Sequence, residues 1–339
     1  MAAAAASSGA RRGRASKGGL RGARRRLSVV SDNKLVEGLQ PIGTVADESV
    51  QSKEIDHVVR TYAGVSKKGY APYNPRKRNQ DAIMMVEDAK TMTLLFGVLD
   101  GHGEAGDLVS HYITARLPDR TFANPKWETD PVAAIAAETA RLEKSVLSDA
   151  SIDTDFSGTT SVVCTIRDRK IDVANIGDSR IIVGRAVSGG KFEAVPLSDD
   201  HKPDRPDEQR RIESAGGRVF AVEYDDGVDG PPRVWLGHMD IPGLAMARSL
   251  GDAVAHSAGV ISTPELTHYD IKPEDKIVVL ASDGLWEFMT NQEVIDLIVK
   301  TGLDDPKRAV DVLVEEANQR WLKEEAVIDD TTVIVAFLK

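Results

Sequence analysis

The sequence predicts an α+β fold, and three observations carry that expectation. Short, β-branched apolar runs recur along the chain, beginning with Met92–Leu99. Two of them, Thr159–Ile166 and Ile171–Ile176, are separated by a polar Arg-Asp-Arg-Lys stretch, which reads as a hairpin and so as antiparallel pairing. Helical patterns cluster between groups of strands rather than following each strand in turn, which argues against a strictly alternating parallel sheet.

Taken in order, residues 1–31 are Ala, Gly, Ser and Arg with almost no large apolar side chain. Such a segment cannot bury a core and is expected to be disordered. Four readings of it stay open. It is a plain tail, an Arg- and Ser-rich organelle presequence, a nuclear or acidic-surface address through Arg24, Arg25 and Arg26, or a kinase substrate at Arg25-Arg26-Leu27-Ser28. No apolar segment follows the basic residues as a signal peptide requires, and Gly does not follow Met1, so the myristoylation motif is absent. The expected location is cytoplasmic or nuclear, with organelle import through residues 1–31 as the alternative. Residues 32–56 are polar and read as a linker or an ordering arm, which sets a tail and linker over 1–56 and a folded domain over 57–339.

Beyond His57, further strands are expected at Arg180–Val183, Lys276–Ala281 and Thr332–Phe337. Helices are expected over Asp107–Leu117 and over Pro131–Ala150, where Asp130 caps and Pro131 opens the helix. Thr290 and Glu293 form a capping box for Asn291–Lys300, and Asp305-Pro306 opens a helix running to about Glu325. Residues 199–243, rich in Asp, Gly and Pro, read as an inserted, mobile surface segment.

The length of 339 residues admits two domains at about 150 residues each, or one large core. Hydrophobic residues make up 41% and charged residues 28%, which excludes collagen-like and wholly disordered chains. No apolar run reaches the ~18–20 residues of a membrane-spanning helix. The single cysteine, Cys164, has no disulfide partner within the chain and reads as a small apolar filler in a buried strand. The net charge of −10 is uneven: residues 1–31 carry seven Arg and one Lys and no acid, leaving 35 basic against 53 acidic residues in the remainder. A body that acidic repels nucleic acid and attracts cations.

Three apolar strands run into aspartates beside glycine, at Asp100-Gly101, Gly177-Asp178 and Asp283-Gly284, and a fourth follows Asp329-Asp330. If these strands share a core, their ends bring carboxylates together, each raising the pKa of the next unless a cation intervenes. Oxygen ligands without a Cys/His cluster suit a hard ion, Mg²⁺ or Mn²⁺, rather than Zn²⁺. Any one of these aspartates also suits an Asx turn, so spacing alone leaves a metal site and a set of turns as alternatives. Upstream, Arg76-Lys77-Arg78-Asn79-Gln80-Asp81 is either a solvated loop or an anion receptor, since guanidinium grips phosphate in bidentate fashion.

Eight segments occur in order: Arg76–Asp81, Asp100-Gly101-His102-Gly103, Ser157–Thr160, Asn175–Arg180, Asp200-His201-Lys202-Pro203, Gly243–Asp252, Ala281–Trp286 and Asp329–Thr332. Together they resemble the type 2C, metal-dependent protein serine/threonine phosphatases over roughly residues 58–339. The resemblance implies one catalytic domain: a sandwich of two antiparallel β-sheets flanked by α-helices, with a metal cleft at one end. It implies that Asp100 bridges two metals, that Asp283 and Asp329 hold the first with it, and that the Gly101 carbonyl helps hold the second. Gln80 and Asp81 fall where the family has an acidic pair reaching the second metal largely through water, and Gln80 departs from the glutamate of the animal enzymes. Arg76 matches the phosphate-binding arginine and His102 the proposed general acid, with a structural helix-start role as the alternative for His102. Asp178, Asp283 and Glu287 match a weaker third metal site, Glu287 standing where aspartate is common. Residues near 199–232 match the family's variable flap beside the cleft, so the resemblance makes 199–243 a flap-like insertion, and Arg233 within it is counted with Arg76 as a substrate-binding residue. His201 reads as part of a structural turn, and Arg248 and Asp252 as scaffold.

The implied activity is hydrolysis of phosphoserine and phosphothreonine in proteins, by water activated at a two-metal Mg²⁺ or Mn²⁺ centre. The competing readings are a catalytically inactive relative that binds phosphoproteins and an acidic metal-responsive regulator. Retention of Asp100, Asp283 and Asp329 favours the active enzyme, and no calcium-loop motif is present. The expected partners are phosphorylated proteins, with neither nucleic acid nor membrane span, and nothing requires a second subunit, so a monomer is expected.

Overall fold

The computed structural model describes residues 58–224 and 227–339. The tail, the linker and Ser28 lie outside the described residues. Two antiparallel sheets stack face to face. The first has the order β1 (Val59–Lys67), β15 (Thr331–Leu338), β14 (Asp275–Ala281), β7 (Arg180–Ala186) and β8 (Phe192–Pro196). In the second, β3 (Thr93–His102) lies between β2 (Asp81–Asp88) and β5 (Ser161–Arg167), and β6 (Lys170–Ile176) and β13 (Glu265–Asp270) continue the sheet. Short strands β4 (Gly158–Thr159) and β12 (Leu250–Gly251) extend it beside the end of β3. The β5–β6 hairpin forms as expected and turns at Asp168, whose φ is +53°.

The central strands are apolar without a break because both their faces are covered. Along β3, Leu94, Phe96 and Val98 enter the layer between the sheets, where Val278, Leu280, Ile334 and Cys164 meet them. The alternate residues Leu95 and Leu99 pack outward on helices α1 (Gly106–Thr114), α2 (Leu117–Phe122) and α3 (Pro131–Leu147). On the other side Ile277, Val279, Val333 and Phe337 face outward. There they meet α7 (Asn291–Thr301) and α8 (Pro306–Glu324), the later of the helices that follow α4 (Pro206–Ser214), α5 (Ala253–His256) and α6 (Asp283–Trp286). The period-2 alternation of a strand is thereby hidden in sequence but intact in space.

Helix boundaries follow the capping chemistry. Asp130 accepts from the Ala133 amide, the Thr290/Glu293 capping box closes on both sides, and Asp305 accepts from Lys307 and Arg308. The helix expected over Asp107–Leu117 is two: α1 ends at Thr114, and α2 restarts with Pro118 in its first turn, where a missing N–H costs nothing. The segment 199–243 is not irregular. It holds α4 and a sheet of β9 (Arg218–Tyr224), β10 (Gly227–Trp235) and β11 (Pro242–Leu244). Ile212, Val234, Leu244 and Met246 give it an apolar core of its own. Among the described residues, no helix is long and apolar enough to cross a membrane.

Candidate active site

Antiparallel pairing places the end of one strand beside the start of the next, and this gathers the aspartates. Asp100, ending β3, lies opposite Asp81, starting β2. Ala281, ending β14, lies opposite Arg180, starting β7, and opposite Val333 near the start of β15. Asp283, Asp178, Asp329 and Asp330 therefore reach the same end of the sandwich as Asp81 and Asp100.

Their carboxyls interact strongly. Asp100 and Asp283 are in hydrogen-bond contact with each other; burial first, then the neighbouring carboxylates, push both well above the ordinary carboxylate range. Asp81 is pushed up to about 7 by burial and by Asp330. Ser282 Oγ donates to Asp81 Oδ2 at 2.7 Å, while the buried Oδ1 has no partner. Two lysines offset part of this charge. Lys77 Nζ lies 2.5 Å from Asp330 Oδ2 and 3.4 Å from Asp329 Oδ1. Burial alone would lower the Lys77 pKa, but the two aspartates hold it above the usual lysine range. Lys202 Nζ lies 2.5 Å from Asp178 Oδ2. Burial alone would raise Asp178, yet Lys202, with help from His102, keeps it below the usual range.

Asp330 also accepts from the amides of Gly69 at 2.7 Å and Gln80 at 2.9 Å, tying the β1–β2 connection to the start of β15. Thr160 fixes Asp100 by exchanging two bonds with its backbone, of 2.8 and 3.0 Å, and its hydroxyl meets Ser179 at 2.7 Å. Gly101 is required by close approach: a Cβ there would stand 2.4 Å from the Gly106 carbonyl oxygen and 2.5 Å from that of Gln80. Gln80 does not stand free toward an ion. Its amide donates to the Gly103 carbonyl at 2.7 Å and so braces the turn carrying His102.

His102 Nε2 lies 2.6 Å from Asp252 Oδ2. Burial alone would lower the pKa of the imidazole, but Asp252 holds it above the ordinary histidine value. Asp252, read from sequence as scaffold, thus touches the candidate acid. His201 and Arg248 keep structural roles: His201 Nδ1 accepts from the Gly177 amide at 3.0 Å, and Arg248 pairs with the buried Glu208 at 2.7 Å. Arg76 is exposed and, among the described residues, makes no hydrogen bond or ion pair, so its guanidinium is free for an anion. Arg233 is placed otherwise than expected. It is 1% exposed and donates to the Gly243 carbonyl at 2.8 Å, so it faces the interior of the flap and not an arriving substrate. Glu287, one turn beyond Asp283, lines an open groove with Arg180, Trp286 and Asn291.

Among the described residues, no three acidic or imidazole side chains stand in the geometry of a formed metal site. The carboxyls instead turn to each other and to Lys77 and Lys202, as unscreened carboxylates must. The donor set still fits hard cations. It is all oxygen, it is at least partly buried, and Asp81 Oδ1 and Asp178 Oδ1 are buried acceptors with nothing to accept. Once fully ionised, Asp81, Asp100, Asp178, Asp283, Asp329 and Asp330 against Lys77 and Lys202 would carry four negative charges, the amount two divalent ions neutralise. The sequence signal for Lys77, Lys202, Thr160 and Ser282 was their place inside the matched segments; nothing local announced which carboxylate each would hold.

Residues 76–325 match the family model described as protein phosphatase 2C, a stretch ending just short of Asp329. A relative named "probable protein phosphatase 2C 35" from Arabidopsis thaliana is 32% identical over 317 residues, covering 88% of this chain and 88% of its own. Another from Oryza sativa, "probable protein phosphatase 2C 64", is 38% identical over 271 residues, covering 77% of this chain and 62% of its own. In fold, the chain is similar to a serine-threonine phosphatase 2C from Toxoplasma gondii, with a TM-score of 0.73 at 20% identity, covering 87% of this chain and 99% of that one. A C. elegans sex determining protein is similar with a TM-score of 0.65 at 21% identity, over 84% of this chain and 65% of that one.

Proposed function

This chain belongs to the protein phosphatase 2C family, and from that premise we propose how its cleft removes phosphate from serine and threonine side chains of proteins. It is a metal-dependent protein serine/threonine phosphatase. The observation that carries the proposal is the partly buried Asp100–Asp283 pair, sharing a hydrogen bond with Asp81 and Asp329 close by. A protein keeps such a cluster at a strained protonation state when a cation is to replace the proton.

Asp100, Asp283 and Asp329, with the Gly101 carbonyl and Asp81, would hold two Mg²⁺ or Mn²⁺ ions, and Asp178 with Asp283 and Glu287 a weaker third. When bound, such ions lower the pKa of a water and neutralise charge on phosphoryl oxygens. Arg76, without a hydrogen bond or ion pair among the described residues, binds the phosphoryl oxygens and spreads the charge that develops on them. His102, held in orientation by Asp252, donates its proton to the departing serine or threonine oxygen. Gln80 and Thr160 keep Asp100 and His102 in register through the turn between β3 and α1. One chain supplies every group invoked, which supports a monomer as the working form.

The test uses a phosphothreonine peptide. Chelated and desalted enzyme is expected to be inactive and to recover with Mn²⁺, while Asp100→Asn stays inactive with metal restored. Full turnover after chelation, or near wild-type turnover in Asp100→Asn, would sink this reading.

A further inference from the structure

The Asp178 side of the cleft holds a positive group already. Asp178 is 2% exposed; its Oδ2 accepts from Lys202 Nζ at 2.5 Å and its Oδ1 has no partner. Asp283 is near enough for its charge to act on both Asp178 and Lys202. Arg180, the next cation, is committed elsewhere: it grips both oxygens of Asp200 at 2.8 and 2.6 Å and donates to Asn291 at 2.7 Å. The charge balance of the cleft closes with two divalent ions and both lysines in place. A third divalent ion overshoots it by two charges with both ammoniums in place, and the departure of one ammonium halves that excess. Lys77 is the more enclosed, its side chain 13% exposed and bonded to Asp330. Lys202 is 36% exposed and has a path to solvent.

We propose that the Lys202 ammonium and a third divalent cation are alternative occupants of the position between Asp178 and Asp283, the ion entering only as Lys202 swings outward. The exchange breaks one charged hydrogen bond and forms metal–oxygen contacts; no covalent bond changes. It accounts for weak binding there by competition from within the chain, in addition to the few ligands offered. The proposal rests on the two-ion reading above.

The test titrates the full-length protein with Mn²⁺ and counts bound ions by the electron-paramagnetic-resonance signal of free Mn²⁺. Wild type is expected to show two tight steps and one weak step. Lys202→Met is expected to tighten the weak step by about tenfold, the worth of a charged hydrogen bond removed from the competitor. Asp178→Ala is expected to lose that step and keep the tight ones. A second measurement needs no variant: acylation of Lys202 by an N-hydroxysuccinimide ester, followed by mass spectrometry, should rise as Mn²⁺ passes through the weak step. An unchanged weak step in Lys202→Met, no weak step in wild type, or Lys202 labelling that stays flat or falls through it would overturn the proposal. Absence of the two tight steps in wild type would instead bring down the reading beneath it.

Discussion

Single side chains in this cleft divide by what they face. Among the described residues Arg76 has no competing carboxylate, so on the proposed reading its loss removes a contact to phosphate and little else. Arg76→Ala is expected to lower kcat/KM roughly 10–150-fold, the range for one charged hydrogen bond, with the fold intact by circular dichroism. Loss of less than about threefold would place the phosphate elsewhere. His102 and Asp252, in contact with each other, are proposed to act together on the leaving oxygen. An aryl oxide leaves without a proton and a serine alkoxide does not. His102→Ala is therefore expected to depress turnover of a phosphothreonine peptide more than that of an aryl phosphate, and Asp252→Asn to do the same to a smaller degree. Equal losses on both substrates in His102→Ala would count against proton donation. Individual site residues were legible in sequence where a strand ran into Asp-Gly. The partners that set their charge, Lys77, Lys202 and Asp252, were not, because each contact joins positions 24 to 253 residues apart.

Secondary-structure elements show the same boundary between readable and unreadable. The strands at 93–102, 161–167, 170–176 and 331–338 announced themselves by apolar β-branched runs. Strands β1 and β2 did not. In β1 a glycine and a shift of register near Val59 break the alternation, and β2 reads Asp-Ala-Ile-Met-Met-Val-Glu-Asp, a composition rich in helix formers that only its neighbours make a strand. The flap strands carry charge and glycine because their apolar partners, Ile212, Val234 and Leu244, are distributed over 33 positions. The junction of β3 with α1 leaves no room for a side chain at Gly101. Gly101→Ala is expected to cost activity through displacement of Asp100 and His102, since the added methyl meets two backbone carbonyls that cannot swing aside. Metal-binding titration should show weakened tight steps in that variant; unchanged binding and turnover would mean the junction tolerates more room than the geometry gives it.

At the scale of the whole molecule, the cleft trades protons for cations. Asp81, Asp100 and Asp283 hold protons more firmly in the folded protein than in the unfolded chain. Their contribution to metal-free stability is fully present below the unfolded carboxylate pKa and fades as pH rises, through about 7 for Asp81. Cations compete with those protons, so the rise in Tm on adding Mn²⁺ is expected to grow between about pH 5 and 8. A rise that shrinks with pH would contradict the coupling. The two stacked sheets were visible in the sequence only through the resemblance of its ordered segments to a family; composition and periodicity reached α+β and no further. One residue in the layer between those sheets then becomes useful for its solitude. Cys164 is the chain's one thiol, fully enclosed, and burial pushes its pKa far above the ordinary cysteine value. A disulfide reagent in solution can meet it only after the sheets part, so its labelling rate is a clock for global opening that needs no engineered probe. Mn²⁺ should slow that clock by the factor with which it deepens the folded basin, a measure of cation binding made wholly from the opposite interior of the molecule.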